Sequence, residues 1–377
     1  MSLSAAELAR YSRHLLLHEV GEAGQERLRA ARVLLVGAGG LGSPAALYLA
    51  AAGIGTLGIV DCDAVDVSNL QRQILFDTRD VARPKAQAAR EQLAALNPEI
   101  SCVAHALELK AANVAGIVAQ YDIVVDGSDR VATRYLVNDA CVILSKALVS
   151  AAIYRFEGQA TTYLPGRGPC YRCLFPDAAT GLAQSCAEAG VLGVLPGVLG
   201  AIQATEAIKI VLGVGELLVG RLLTYDALEM RFGNFAFARR VDCAVCGDHP
   251  TIAAPSDGPA SCEAVVPGLR RLAPAELAAM LAATGRSAET VQLIDVREPH
   301  EFGAGHVEGA LPVPLGELAR RMPDLAADAT LVFICRSGLR SAQAVTIAAQ
   351  HGAQRTAHLE GGLLAWADTV DPSLRIA

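Results

Sequence analysis

A glycine-rich turn that follows a short apolar run constrains the fold of this chain more than any other feature. The run Val33–Val36 predicts a buried strand. The spacing G-x-G-x-x-G follows at once, with a fourth glycine inside it: Gly37, Gly39, Gly40 and Gly42. We expect a helix to begin near Ser43, and Pro44 suits its first turn. This order of strand, glycine turn and helix favours an α/β sheet that binds a nucleotide.

The chemistry of the turn favours an anionic ligand. A backbone without side chains can approach a phosphate closely, and the N–H groups and positive dipole end of the next helix attract it. The apolar run Leu57–Val60 then ends at Asp61, whose carboxylate could accept hydrogen bonds from ribose hydroxyls. Glycine turns also occur for packing reasons, and oxidoreductases that bind a nicotinamide or flavin use the same loop. Other residues must therefore decide between these ligands.

The composition predicts globular domains in a reducing compartment. The chain has 377 residues, of which 52% are hydrophobic and 19% charged, which suits two folded domains and argues against disorder. A net charge of -7 argues against general nucleic-acid binding. The apolar stretch 189–213 contains Glu206 and Lys209, which favours a buried segment over a membrane span. Because the N-terminus lacks a signal-peptide pattern, we expect a cytoplasmic protein. In that reducing compartment its ten cysteines are expected to bind a metal or to take part in catalysis and not to form disulfides.

Polar donors are concentrated after the second predicted strand. The segment SNLQRQ contributes Ser68, Asn69, Arg72 and Gln73, and the tripeptide RPK places Lys85 at the start of an alanine-rich helix. Open α/β sheets bind ligands at the carboxyl ends of their strands, where we expect these side chains to lie. Loops are polar in any case, so each residue taken singly is equally compatible with a solvated surface.

A third strand, Tyr121–Val125, ends in the segment DGSD, which closes with Asp129. Magnesium at phosphate sites is bound by one or two carboxylates together with phosphate oxygens. Asp129 is therefore a candidate Mg²⁺ ligand, and the alternative is a simple turn aspartate.

Two C-x-x-C pairs suggest a metal site. Four thiolates at this spacing suit a tetrahedral Zn²⁺ site that joins distant segments, and a redox dithiol or a coincidence is the alternative. The cysteines are Cys170, Cys173, Cys243 and Cys246. Between the pairs lies Cys186, in the segment SCAEAG. Spacing alone favours the interpretation that Cys186 is a small, buried, hydrophobic residue of the core.

The C-terminal part of the chain predicts a second, smaller α/β domain. Residues 248–267 have no periodicity and are rich in Pro, Ala, Ser and Gly, which predicts a flexible linker that would let one domain visit a site on the other. The linker would separate a domain of residues 1–247 from one of residues 268–377. In the second domain, strands are expected at Val291–Val296 and Thr330–Ile334.

The second strand of this domain leads into a candidate catalytic loop, CRSGLR. Cys335 lies between a strand end and a helix that we expect from Ser341, among N–H groups that point inward, with Arg336 and Arg340 beside it. Both effects favour a thiolate or a persulfide anion. Phosphatases of this architecture have five residues between cysteine and arginine, whereas this loop has four, and the smaller loop suits sulfur. The alternative is a buried structural cysteine.

Taken together, these motifs resemble a known family. Residues 4–247 resemble the MoeB/ThiF group, the ubiquitin-activating-like enzymes that adenylate sulfur carrier proteins, and residues 268–377 resemble a rhodanese domain. The motifs that carry the resemblance are GAGGLG, SNLQRQ, RPK, the paired C-x-x-C, SCAEAG and CRSGLR. This order of parts is that of the fused MoeB-rhodanese proteins, whose eukaryotic relatives are the MOCS and Uba-type enzymes of molybdenum-cofactor synthesis and tRNA thiolation.

The resemblance implies a role for each matching residue. It implies an ATP site formed by Gly40, Asp61, Ser68, Asn69, Arg72, Lys85 and Asp129. Within that site Asp61 would hold the ribose, Lys85 and Arg13 the phosphates, and Asp129 a Mg²⁺ ion. Arg72 would reach the nucleotide of a partner subunit, which implies a homodimer. The four paired cysteines match zinc ligands, Cys186 matches a cysteine on a mobile crossover loop, and Cys335 matches the cysteine that carries a persulfide.

One position departs from the family pattern. Relatives usually have Asp-Asn where this chain has Asp129-Arg130. The contact between that asparagine and the nucleotide is therefore replaced, and Arg130 is a candidate phosphate contact.

The expected reaction is the adenylation of the C-terminal Gly-Gly carboxylate of a small ubiquitin-like carrier, followed by transfer of sulfur from a persulfide on Cys335. Molybdopterin synthesis is the expected pathway, and thiamin, cysteine, thiolated tRNA and siderophore pathways are the alternatives. A cysteine desulfurase or thiosulfate would supply the sulfur.

Four other classes of protein remain open on the sequence. They are a nicotinamide or flavin oxidoreductase, a non-catalytic scaffold for carrier proteins, a rhodanese that works without ATP, and a thioester-forming activator that depends on Cys186 and not on Cys335.

Overall fold

Two α/β units make up the part of the chain that the structure describes. The structure is a computed structural model, and it describes residues 2–176, 190–257, 270–283, 290–326 and 328–376. The chain divides into one unit at Met1–Ser261 and a second at Cys262–Ala377.

The first unit is built on an eight-stranded sheet. The strand order is β3-β2-β1-β4-β5-β6-β7-β8, in which the first five strands are parallel and the last three continue antiparallel. The strands are β1 (Arg32–Val36), β2 (Thr56–Val60), β3 (Ser101–His105), β4 (Ile123–Asp126), β5 (Ala147–Tyr154), β6 (Glu157–Tyr163), β7 (Arg221–Asp226) and β8 (Arg231–Ala236). The three strands expected from the apolar runs are all present, and they are adjacent in the sheet.

Helices cover the faces of this sheet. They are α1 (Ala5–Arg10), α2 (Ser12–Leu15), α3 (Gly21–Ala30), α4 (Gly42–Ala52), α5 (Lys85–Leu96), α6 (Ala111–Val118), α7 (Val131–Ile143), α8 (Tyr171–Leu174) and α9 (Leu195–Leu212). Helix α4 is buried over most of its surface and packs against α9, as its apolar sequence predicts. Helix α9 is long and apolar enough to cross a membrane, but half of that stretch is buried within the fold, against α4, β5 and β6.

The N-terminal segment forms two short helices that begin with a capping box. Ser4 Oγ accepts a hydrogen bond from the Glu7 backbone N–H, and the Glu7 carboxylate accepts one from the Ser4 N–H, which completes the capping box. The two helices, α1 and α2, meet at Tyr11. The Tyr11 side chain is buried and its hydroxyl accepts a hydrogen bond from Asn97 Nδ2, so tertiary contacts fix the chain at the break.

The register of the parallel strands brings distant segments to one edge. Val36 on β1 lies opposite Val60 on β2 and opposite Asp126 on β4. The glycine turn, Asp61 and the segment after Asp126 therefore leave the sheet side by side, at the carboxyl ends of their strands.

The second unit has a five-stranded parallel sheet of order β11-β10-β12-β13-β9. Its strands are β9 (Arg270–Leu272), β10 (Val291–Asp295), β11 (Leu311–Pro312), β12 (Thr330–Ile334) and β13 (Thr356–Leu359). Its helices are α10 (Pro274–Ala283), α11 (Pro299–Ala304), α12 (Leu315–Arg321), α13 (Leu339–Gln350) and α14 (Gly362–Thr369). Helix α13 begins two residues before the predicted start at Ser341, so the catalytic-loop sequence ends inside its first turn.

Part of the predicted linker is attached to the first unit. Residues 248–257 have no regular secondary structure, but the Asp257 carboxylate accepts a 2.6 Å hydrogen bond from the Ala111 N–H at the start of α6. The N–H groups of Thr251 and Ile252 both donate to the Ala244 carbonyl. These ten residues are therefore held against α6 and the second C-x-x-C turn, whereas the sequence predicted a free coil. The rest of the predicted linker lies outside the described residues.

Candidate functional site

The glycine turn is shaped by close contact between its own backbone segments. A Cβ at Gly42 would overlap the Gly37 carbonyl oxygen, so a side chain cannot be placed there without moving the turn. Gly37 itself has φ of 88°, in the left-handed region. The turn then enters α4, with the Ser43 N–H donating to the Gly39 carbonyl at 2.9 Å. The glycines are therefore required by the fold, and they leave the backbone open toward the strand ends.

Asp61 joins this turn to the end of β2. Its carboxylate accepts hydrogen bonds from the Ala38 N–H at 2.8 Å and from the Asp63 N–H at 2.9 Å. Burial raises the pKa of Asp61, and the positive charge of Lys85 together with these two hydrogen bonds opposes the rise. Lys85 Nζ lies 3.1 Å from Asp63 Oδ2, and Lys85 is only 6% exposed. A buried cation is thereby held beside the glycine turn.

These groups surround an open cleft. It is lined by the turn, the end of β2, the SNLQRQ segment and the segment after β4. The residues predicted for nucleotide binding that line it are Gly37, Gly39, Gly40, Asp61, Arg72, Gln73, Lys85, Asp129 and Arg130. Arg72 lines the cleft of its own chain. Its contact with a partner subunit's nucleotide, which the resemblance implied, stays a prediction.

Four of the predicted residues do not line the cleft. Gly42 lies behind the turn, where it contacts Gly37. Ser68 and Asn69 are engaged in their own turn, because the Asp66 carboxylate accepts from the Ser68 N–H and hydroxyl, and the Asn69 side chain accepts from the Asp66 N–H. Arg13 is exposed on α2, outside the cleft.

The sequence did not single out Arg134, which the structure places in the cleft wall. Arg134 donates to the Ser128 carbonyl at 2.8 Å, while the Ser128 N–H and hydroxyl both donate to the buried Asp126 carboxylate. Burial raises the pKa of Asp126, and the charge of Arg134 opposes this. Arg134 thus holds the turn that presents Asp129. Its position as the fourth residue of α7, four residues after Arg130, was the available signal.

Within the part of the chain that the structure describes, two buried polar atoms in the cleft wall have no hydrogen-bond partner. They are Oε1 of Gln73 and Nε of Arg134. A buried polar atom without a partner costs on the order of 1–3 kcal/mol, so a ligand or solvent that satisfies it is favoured. The donor set of three arginines, a lysine and a glycine turn suits the charged phosphates of a nucleotide. The residues present therefore fit ATP.

Arg130 forms an ion pair at the rim of the cleft. Its guanidinium lies 2.9 Å from Glu108 Oε1, and Lys110 Nζ lies 3.2 Å from the other oxygen of that carboxylate. Both partners of the Arg130 pair are about half exposed, so the pair itself is worth little. Arg130 can leave it for a phosphate at small cost.

The four paired cysteines come together as predicted. Their sulfur atoms all lie within 4.8 Å of one another, with 3.6 Å between Cys170 and Cys243 and 3.4 Å between Cys173 and Cys246. Tetrahedral zinc with Zn–S bonds near 2.3 Å would space its sulfurs by about 3.8 Å, so the cluster fits this ion. Burial raises the pKa of Cys170, and a bound Zn²⁺ would offset that effect by taking the thiolates. This cluster joins α8 to the turn after β8.

Cys335 lies at the carboxyl end of β12, fully buried. Its sulfur accepts hydrogen bonds from the Gly338 N–H at 3.1 Å and the Ser341 N–H at 3.4 Å. The prediction that inward-pointing N–H groups surround this cysteine is confirmed. Such donors stabilise negative charge on sulfur.

Arg340 has a different partner from the one expected. Its two terminal nitrogens bond both oxygens of Glu301 on α11, at 2.6 and 2.7 Å, and both residues are buried. Arg340 therefore anchors the loop of Cys335 to α11, a role that the sequence did not predict. Arg336 is partly buried, and its Nε has no hydrogen-bond partner. Cys186 lies outside the described residues.

Comparison with known proteins identifies both units. A model of the ThiF family matches residues 11–245. The chain belongs to the ThiF family. A model of the rhodanese-like domain matches residues 273–369, so the second unit is a rhodanese domain.

Relatives and a solved structure agree with this assignment. "Probable adenylyltransferase/sulfurtransferase MoeZ" of Mycobacterium tuberculosis is 43% identical over 99% of this chain and 96% of its own length. "Sulfur carrier protein adenylyltransferase" of Thermus thermophilus is 52% identical over 67% of this chain and 95% of its own. A crystal structure of E. coli MccB with MccA-N7isoASN covers 63% of this chain and 75% of its own, with 25% identity and a TM-score of 0.57.

This ThiF-family chain is an adenylyltransferase with a sulfurtransferase domain, as the sequence predicts. The rhodanese unit brings the second activity to the same polypeptide. An oxidoreductase is thereby set aside, although it would use the same glycine turn.

Proposed function

We propose that this enzyme activates the C-terminal Gly-Gly carboxylate of a small ubiquitin-like sulfur carrier with ATP and then converts it to a thiocarboxylate. The observation that carries the proposal is the pairing, in one chain, of a cationic cleft beside a glycine turn with a cysteine cradled by N–H groups. The cationic cleft suits the adenylation of a carboxylate, and the cysteine among N–H groups suits a persulfide. The Thermus thermophilus relative, by its name, acts on a sulfur carrier protein.

In the first step the carrier carboxylate attacks the α-phosphate of ATP. The bond between that phosphorus and the pyrophosphate breaks, and the products are an acyl-adenylate and pyrophosphate. Negative charge grows on the phosphate oxygens, and Lys85 and Arg72, which line the cleft, would stabilise it. Asp61 would hold the ribose and keep the nucleotide in line. Arg130, freed from Glu108, would add a further phosphate contact.

Asp129 would hold a Mg²⁺ ion, which would neutralise phosphate charge. Asp129 is exposed and lines the cleft, and its turn is fixed by Asp126 and Arg134. The carboxylate is thus presented to solvent at the cleft wall, where a hydrated ion can reach it.

In the second step a persulfide on Cys335 attacks the acyl carbon. The carbon–oxygen bond to AMP breaks, and an acyl disulfide joins the carrier to Cys335. A thiol then attacks the Cys335 sulfur, which releases the thiocarboxylate and leaves a disulfide on the enzyme. Cys186 is the candidate for that thiol. The persulfide would be supplied by a cysteine desulfurase or by thiosulfate.

We also infer the setting of this reaction. The carrier would belong to molybdopterin synthesis, by the order of domains, and the enzyme would act as a cytoplasmic homodimer. Arg13, exposed and outside the cleft of its own chain, would then act on the phosphates of the partner subunit. Zinc would hold the four-cysteine cluster closed as a structural site.

The intact mass of the carrier tests the proposal. Candidate carriers from the molybdopterin, thiamin and other pathways are incubated with the full chain, ATP, Mg²⁺ and thiosulfate or a desulfurase with cysteine. We expect one carrier to gain the mass of an oxygen-to-sulfur exchange. Cys335→Ser should abolish the gain but leave pyrophosphate exchange unchanged. Cys102→Ser is the matched control, because Cys102 is a free cysteine on β3 that does not line the cleft.

The same assay separates the alternatives. A gain of sulfur by the Cys335→Ser variant would refute the role of the rhodanese unit. Binding of carrier without pyrophosphate exchange would favour a scaffold. An adenylate without a thiocarboxylate would show an activator whose sulfur comes from elsewhere.

A further inference from the structure

A serine and a histidine continue inward from the sulfur of Cys335. Cys335 Sγ lies 3.5 Å from Ser341 Oγ, and that oxygen lies 3.4 Å from His358 Nδ1. Cys335 and Ser341 have no exposed surface, and His358 is 6% exposed. The three groups therefore form a continuous buried row that starts at the sulfur and ends at an imidazole.

The fold fixes each member of this row. His358 on β13 lies in register with Phe333 on β12, two residues before Cys335. Ser341 lies in the first turn of α13, and its own N–H donates to the sulfur. The Ser341 hydroxyl donates a 3.0 Å hydrogen bond to the Gly338 carbonyl, which keeps its oxygen between Cys335 and His358. For the relay proposed below, the hydroxyl turns that proton toward His358 Nδ1, 3.4 Å away. Strand pairing and helix start thus set all three positions.

The chemistry of the row suits proton transfer. A serine hydroxyl can accept one proton while it donates another, and a neutral imidazole nitrogen can accept a proton near neutral pH. A thiol must lose its proton before it attacks a sulfur donor. A buried thiol has little water to take that proton, so a protein group is needed.

We propose that His358, acting through Ser341, takes the proton of the Cys335 thiol and thereby makes the thiolate that accepts sulfur. The S–H bond breaks as the Ser341 oxygen takes the proton, and the Ser341 O–H bond breaks as His358 Nδ1 takes the second proton. The electron pair stays on sulfur. The products are a thiolate and an imidazolium, so the buried row gains no net charge. This proposal rests on the role of Cys335 in the proposed function.

Arg336 follows Cys335 in the loop, and two other charged groups near the row have carboxylate partners. On β9, Arg271 lies in register with His358, and its guanidinium is 3.8 Å from Glu360. On α13, Arg340 next to Ser341 is bonded to Glu301. On β12, the residue in register with His358 is Phe333, which carries no charge. His358 is therefore the group beside this row that can gain a proton when the Cys335 thiol loses one.

The test is the rate at which iodoacetamide alkylates Cys335, from about pH 5 to about pH 10. The full chain is used without ATP, carrier or sulfur donor, and the mass of the peptide that contains Cys335 is followed. His358→Asn should lower the rate at pH 7 by about tenfold, and the rates should converge at high pH, where hydroxide can take the proton in place of His358. Ser341→Ala should give the same change, and the double variant should add nothing further.

His351→Asn is the matched control, because His351 is exposed and lies at the end of the same helix. It should keep the wild-type pH profile. An unchanged profile in His358→Asn or in Ser341→Ala would overturn the proposal, as would equal changes in the control. If the asparagine variant fails to fold, as judged by circular dichroism, Ser341→Ala and His358→Gln decide. Because no carrier or ATP is present, the proposed function can fail while this inference stands, and the reverse also holds.

Discussion

Glu301 and Arg340 form a doubly hydrogen-bonded ion pair, with distances of 2.6 and 2.7 Å, that fastens the loop of Cys335 to helix α11. Both side chains are nearly buried. Burial alone would raise the pKa of Glu301, but the hydrogen bonds from Arg340 and from the Glu298 backbone lower it below the usual value of 4.5.

The pair makes the stability of the second unit depend on pH. Because the native carboxylate has the lower pKa, its contribution is full above pH 4.5 and is lost as the pH falls through the lowered native value. Glu301→Gln leaves a buried cation without a charged partner, which should cost about 3 kcal/mol at pH 7. Unfolding followed by calorimetry at several pH values checks this. Glu317→Gln, on an exposed site of α12, should change little.

Removal of metal should loosen the first unit. The four cysteine sulfurs fit one Zn²⁺ that joins α8 to the turn after β8, so Cys243→Ser should reduce bound zinc from one per chain to a trace. We expect the Tm of the first unit to fall by at least ~5 °C, since the metal stabilises only the folded state. Elemental analysis and thermal unfolding measure both effects. Full zinc content in the variant would contradict the assignment, and Cys62→Ser serves as control.

Lys85 should be essential for adenylation. Its ammonium is buried beside Asp61 and the glycine turn, where it meets the charge that develops on the phosphates. Lys85→Ala should reduce ATP–pyrophosphate exchange by about 10²-fold to 10³-fold. Lys110→Ala, which removes an exposed lysine near the rim, should keep most of the activity. Equal losses in the two variants would show that the effect is not specific to the cleft.

Arg130→Asn tests the one departure from the family pattern. The exposed pair with Glu108 contributes less than ~1 kcal/mol, so stability should hardly change. If Arg130 contacts a phosphate, the KM for ATP should rise about threefold to tenfold, and the rise should shrink at high salt. Steady-state kinetics at two ionic strengths measure this. An unchanged KM would assign Arg130 to the rim pair alone.

Local sequence predicted the framework of both sites well. The strands that end at Val36, Val60 and Ile334 are present, because apolar runs bounded by glycine or polar residues leave few other structures. The clustering of the four cysteines was also predictable, since the C-x-x-C spacing is set by the geometry of metal–thiolate sites.

The sequence misplaced residues whose roles depend on partners far along the chain. Arg340 lies five residues after Cys335, but its guanidinium donates hydrogen bonds to Glu301, which precedes Arg340 by 39 residues. Arg134 and His358 carry no motif, and their positions follow from a helix start and from strand register.

By itself, then, the sequence determined the elements, the glycine turn, the cysteine pairs and the family, because each depends on residue types at short and regular spacing. Only the tertiary structure decided which charges meet. It paired Arg340 with Glu301, turned Arg72 into the cleft of its own chain and brought His358 within reach of Ser341. The physical reason is that hydrogen bonds and ion pairs act over a few ångströms in space. Folding brings residues within that distance whatever their separation in sequence.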